Sequence, residues 1–285
     1  MIHTFLLPFA LLLFSCKTDT PTSKPPFTNT PQLFNITPGI VDEASGIADS
    51  YANPGYLWVE QDSGNPPELR LIKHDGTIAK NIFIKNSTNR DWEELQVSNG
   101  PDASKKYVYV GDIGDNDAVF QSCSIYRFIE PSASTDTVFN FDKIDFKYPD
   151  MPHDAEAMLI DPSTKDIYII TKRDAVSKIY KIAYPQNIAS LNTAEFVMDL
   201  PYKGVVGAAI SADGKEILLK TYSNIYYYKG GGTVADVLKQ LPLTLSYQVE
   251  PQGEAICLTN DNSGFYTLSE KSFAQFVKLN FYRRN

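Results

Sequence analysis

Histidine is scarce: three residues in 285, and only His74 and His153 lie beyond the first few positions. A zinc or iron centre built on imidazoles is therefore excluded. The chain also lacks a Gly-x-Ser-x-Gly nucleophile elbow, and with so few histidines a serine or cysteine hydrolase has no general base to draw on. Cysteine is limited to Cys16, Cys123 and Cys257; the last two sit within strand-like runs and read as buried free thiols or as one bridge, which spacing alone does not decide. Sustained 3.6-residue periodicity is missing, which argues against a helical bundle. The net charge of −8 without a basic tract removes nucleic acid as a partner, because phosphate backbones demand a positive surface.

Charge is absent from the first fifteen residues, and the apolar run at 5–14 is far shorter than the roughly 20 residues that a spanning helix needs. Residues 1–15 read as a processed leader. Its end, Leu13-Phe14-Ser15-Cys16, resembles a bacterial lipobox, which implies lipidation of Cys16; a plain secretory signal is the alternative. Residues 16–32 are crowded with Thr, Pro and Ser and read as a disordered tether, long enough to hold a domain ~45 Å from a headgroup. The expected location is the cell envelope, with the membrane touched only through the anchor.

What the remaining 33–285 has in quantity is strand formers, with 17 Tyr and 16 Phe in the whole chain. Five short motifs share one pattern: Glu43-Ala-Ser45-Gly-Ile47, Asp91-Trp-Glu93-Glu-Leu95, Asp154-Ala-Glu156-Ala-Met158, Val206-Gly-Ala208-Ala-Ile210 and Gln252-Gly-Glu254-Ala-Ile256. Side chains alternate along a strand, so the first and third residues of each motif share a side. The third positions are 48, 63, 52 and 46 residues apart, the spacing of four-stranded propeller blades. Second strands are expected at 56–61, 107–112, 166–172, 215–221 and 264–269, and third strands at 69–73, 124–128, 178–183, 224–229 and 274–279. A short helix is expected at 233–241, and the fourth strand of the last blade should come from 33–37. The fold class is thus all-β, a five-bladed propeller closed by an N-terminal strand; no sixth motif is present. Trp92 and Tyr226 to Tyr228 read as core.

Three glutamates at equivalent inward positions must be protonated, paired with cations or bound to metal, because unpaired buried carboxylates are strongly disfavoured. Ser45, Glu93, Glu156 and Glu254 offer only hard oxygens, which suits calcium ahead of magnesium or manganese. Ala208 leaves one side to water or a carbonyl. The ends of the second strands should rim the same mouth. Lys172, Arg173 and Lys220 are expected to clamp a small anionic substrate, with Asp62 or Asp112 as the base. The run Asp115-Asn116-Asp117 reads as a turn before it reads as a ligand.

The tags Ala44-Ser-Gly-Ile47, Asp91-Trp-Glu93, Gly111-Asp-Ile-Gly-Asp-Asn116, Asp154-Ala-Glu156-Ala157 and Gln252-Gly-Glu-Ala255 resemble secreted bacterial propellers labelled phytase-like or esterase-like. The axial order is similar to that of the soluble calcium-activated apyrases, whose ring runs Ser, Glu, Glu, Ser, Glu; Ala208 stands where the second serine would be. The resemblance implies a central calcium and hydrolysis of phosphorylated or other anionic esters; the chain is expected to be a monomer. A six-bladed lactonase with an Asn ligand fits less well. The competing class is a non-catalytic binding or scaffold propeller with a structural calcium, and fold alone does not choose between them.

Overall fold

A computed structural model describes residues 24–272 and 277–285. The leader 1–15, Cys16 and the first part of the tether lie outside the described residues, as does most of the segment expected to open the last blade's third strand. That strand is found at Lys278–Arg283.

Five antiparallel sheets make the ring, and their inner strands are Ala44–Asp49, Trp92–Asn99, Ala155–Ile160, Val205–Ile210 and Gly253–Leu258. Each inner strand touches those of both flanking blades. The second strands run Tyr56–Gln61, Lys106–Asp112, Ile167–Thr171, Glu216–Thr221 and Gly264–Ser269. The last blade takes its outer strand, Gln32–Asn35, from the other end of the chain, paired antiparallel to Lys278–Arg283. Closure by the termini is therefore observed. Two short segments the sequence did not reveal, Thr137–Val138 and Asn192–Thr193, lie parallel against the outer strands of the preceding blades, stitching blade two to one and blade three to two.

The core is divided into five apolar wedges, one between each pair of neighbouring blades. Trp58 and Trp92 fill the wedge between blades one and two. There the Glu130 carboxylate accepts from Trp58 Nε1 at 3.0 Å and from the Ser50 hydroxyl at 2.6 Å, so a buried charge is met by donors. Cys123 and Cys257 are buried free thiols, which settles the alternative left by spacing. The helix Val234–Leu238 forms where expected, because Thr233 and Asp236 make a reciprocal capping box.

Residues 24–32 correct the extent of the tether. Phe27 is 2% exposed, edge-on to Tyr227 and Phe265 with Arg284 over its ring. The buried ring contributes about 2–3 kcal/mol of apolar transfer, and main-chain bonds from Thr28 N to Arg283 O at 2.8 Å and from Asn285 N to Pro26 O at 3.0 Å hold the run to the last strand.

Candidate metal centre

Every inner strand carries a bulge near its start, between Ala44 and Ile47, Trp92 and Glu94, Ala155 and Ala157, Val205 and Gly207, and Gly253 and Ala255. A bulge adds an unpaired residue and re-aims it, so Ser45, Glu93, Glu156, Val206 and Glu254 occupy the same place in the five blades. This corrects the register expected for blade four. Its axial residue is Val206 and not Ala208, because Ala208 pairs with Leu219 as Met158 pairs with Ile169. A shift of two preserved the inward phase and so escaped detection in the sequence.

Glu93, Glu156 and Glu254 do converge. Each offers a carboxylate oxygen within 4.8 Å of the others, and all three are buried. The fourth expected ligand, Ser45, donates its hydroxyl to Glu254 Oε2 at 3.4 Å. Burial and mutual repulsion hold the carboxyls of Glu93 and Glu156 well above the usual carboxylate range. A second trio shares Glu93: oxygens of Asp62, Asp91 and Glu93 also lie within 4.8 Å of one another. Burial, then the Asp62 charge, pushes Asp91 up to about 6. Either acidic group could hold a metal ion.

The residue that follows each second strand lids this cluster, giving Asp62, Lys172, Tyr222 and Glu270 in blades one, three, four and five. Three of them anchor through a main-chain hydrogen bond to the residue two before the bulge: Asp62 to Glu43, Lys172 to Asp154 and Glu270 to Gln252. In blade two Ile113 swings into the core and Gly114 takes that bond, to Asp91. A Cβ on Gly114 would overlap Asp91 Oδ2 and Glu93 Oε1, so only a glycine lets both carboxylates pack directly against the main chain there. Glu270 is pushed up to about 7 by burial, Glu254 and Asp62.

The expected anion clamp is redistributed. Lys172 turns into the channel: its ammonium pairs with Glu156, lies 3.7 Å from Glu254 Oε1 and donates to the Tyr222 hydroxyl at 3.1 Å. Tyr222 in turn donates to Glu254. Lys220 is 0% exposed. It lies between blades four and five, bonded to the Gly253 carbonyl, 3.7 Å from Glu250 Oε2 and beneath the Tyr247 ring. Because Lys220 falls one strand position before the rim, its side chain faces the blade interface and not the mouth. Arg173 alone stays half exposed, 2.7 Å from Asp154 Oδ2.

Asp112 is likewise tied up, accepting from the Asp91 main chain at 2.9 Å with Arg90 at 3.7 Å. Asp62 stays at the mouth. Asp115 is a turn residue as expected, capping the amides of Val119 and Phe120.

Two axial glutamates escaped the sequence reading. Glu94, next to the bulge, reaches across to blade four and accepts from Ala208 N at 2.9 Å and Leu95 N at 2.9 Å. Glu60 is fully buried, neither oxygen has a hydrogen-bond partner, and burial followed by Asp62 and Glu94 raises its pKa. The available signal was the small residue at the position of Glu94 in every other blade, Gly46, Ala157, Gly207 and Ala255, which together make room for one long acid.

No protein-family model and no curated protein sequence matches the chain, so the phytase-like and apyrase-like resemblances rest on the motifs alone. Among solved structures, the PQQ-bound aldose sugar dehydrogenase of Streptomyces coelicolor is similar over 92% of this chain and 100% of its own, at 9% identity and a TM-score of 0.50. A chain of the mitotic checkpoint complex aligns over 99% of each chain at 14% identity and TM-score 0.47. Kuenenia stuttgartiensis hydrazine synthase aligns over 85% of this chain and 71% of its own at 12% identity and TM-score 0.44. The first likeness supports the propeller fold and nothing of cofactor or reaction; the other two are too loose to carry weight.

Proposed function

We propose that the chain is an exported, lipid-anchored, monomeric propeller that binds a hard divalent cation at its acidic channel mouth and hydrolyses a small anionic ester there. Calcium is favoured over magnesium and manganese because the donors are oxygens from four strands and loops, which suits flexible coordination. The observation that carries the reading is Glu93: a buried carboxylate common to two acidic trios, acted on chiefly by the charges of Glu156, Asp62, Glu254 and Asp91, all negative. Such a group needs a counter-ion to be ionised at neutral pH.

A bound cation would polarise the ester and lower the pKa of water. The residues of the chain itself would do the rest. Glu270, poised at about 7, can take a proton from water near neutral pH. Arg173, the one half-exposed base of the expected clamp, would orient the anionic group. Metal analysis of the purified domain, with a phosphatase and esterase panel run with and without chelator, tests this. Turnover that follows calcium supports it, and a metal-free protein indifferent to calcium sinks it.

A non-catalytic calcium propeller is the second reading. It is favoured by the Lys172, Glu156, Glu254 and Tyr222 network, which closes the axis from within. Under it, chelation lowers the melting temperature while no ester turns over.

A further inference from the structure

Partners are unevenly shared among the mouth carboxylates. Glu156 holds the Lys172 ammonium, and Glu254 receives the Tyr222 hydroxyl, the Ser45 hydroxyl at 3.4 Å and Lys172 at 3.7 Å. Glu93 is only 4% exposed, yet among the described residues its carboxylate meets no hydrogen-bond donor and no basic group within ion-pair distance, only other acids. On its axial side the nearest cationic place is already filled by Lys172. On its outer side stand Asp62 and Asp91, with oxygens within 4.8 Å, and the bare Gly114 backbone holds Asp91 Oδ2 and Glu93 Oε1 close together. Two oxygens bound to one calcium at about 2.3–2.6 Å can be up to ~5 Å apart, so the outer trio spans one ion. A metal on the axis would instead have to share Glu156 and Glu254 with an ammonium of like sign.

We infer that the divalent cation sits off the propeller axis, held by Asp62, Asp91 and Glu93 beneath Gly114, and that Lys172 is the resident counter-cation of Glu156 and Glu254. This rests on the proposed cation dependence and specifies its seat. Two of the three ligands, Asp62 and Asp91, are half-buried, so on their side the ion keeps a face for water and for an anionic oxygen. The axial acids then form a fixed ion-pair network and are not the metal centre. The ion's class is a hard divalent cation taking oxygen ligands.

Trp92 lies between two of the three ligands in the chain and can sensitise terbium(III), a luminescent substitute for calcium. Titration of the full propeller should show one ion, displaced by calcium. Asp62→Asn and Asp91→Asn should each weaken it by roughly tenfold or more, Glu254→Gln should leave affinity within about twofold, and Lys172→Met should raise the ion count to two by freeing the axial trio. Circular dichroism melts verify folding; should Asp91→Asn fail to fold, Asp62→Asn at the loop decides alone. Loss of binding in Glu254→Gln with none in Asp62→Asn would place the ion on the axis, overturning this inference while leaving the cation-dependent reading intact. Absence of terbium and calcium binding in the unaltered protein would end both.

Discussion

Glu93 and Glu94 are chain neighbours, both buried, both aimed into the channel by one bulge, and they end in opposite conditions. Glu94 sits in the lower tier, where main-chain N–H groups of Leu95 and Ala208 close on its oxygens. Glu93 sits in the upper tier, where its neighbours are Glu156, Asp62, Glu254 and Asp91. The protein itself supplies donors to Glu94; beside Glu93 it places only acids. The two lysines repeat the lesson, since Lys220 is consumed between blades while Lys172 serves the channel.

The contrast is broken hardest in the closed region. Lys220→Ala strands Glu250 in the interface between blades four and five, and should cost about 3–5 kcal/mol in urea unfolding without changing cation affinity. Glu94→Ala leaves the buried Ala208 and Leu95 amides without their carboxylate acceptor, an expected loss of about 2–3 kcal/mol by the same measurement. In the open tier the sign reverses: Glu93→Gln removes an uncompensated acid and should stabilise the cation-free protein by about 1 kcal/mol, while abolishing any increment from calcium. A destabilised Glu93→Gln in chelator would show that the carboxylate has a partner after all.

The smallest effect is a slope. Asp91 is raised from 3.8 to about 6 and Glu270 from 4.5 to about 7. In the window between the ordinary and raised values the folded chain keeps protons that the unfolded chain has released. The contribution of these groups to stability is therefore present at low pH and lost as pH rises from about 4 to about 7. Calcium needs the deprotonated carboxylates, so its affinity should climb over the same range. Urea midpoints taken across that window with calcium and with chelator should diverge as pH rises; parallel curves would detach these carboxyls from the cation.

Much of the ring was legible because period-2 alternation and turn residues are local: the second strands at Tyr56–Gln61 and Gly264–Ser269 fall at the expected bounds, and closure by Gln32–Asn35 followed from a strand deficit. The convergence of Glu93, Glu156 and Glu254 was legible for the same reason. Blade four was misread by two residues because Val206 and Ala208 share a phase and neither is polar. Lys220 was misplaced because its facing depends on one strand position. Glu94 was missed because a bulge breaks the alternation on which the reading relied, and Glu60 because it lies on a second strand, outside the five inner-strand motifs.

By itself the sequence determined the architecture and the convergence of Glu93, Glu156 and Glu254, since strand period, turn chemistry and blade spacing are properties of neighbouring residues. Only the tertiary structure decided which of those acids are satisfied. Whether Lys172 reaches Glu156, whether Ala208 offers its amide to Glu94 and whether Asp62 closes on Asp91 and Glu93 all depend on where separate blades bring their atoms around a common axis, and no spacing along the chain encodes those distances.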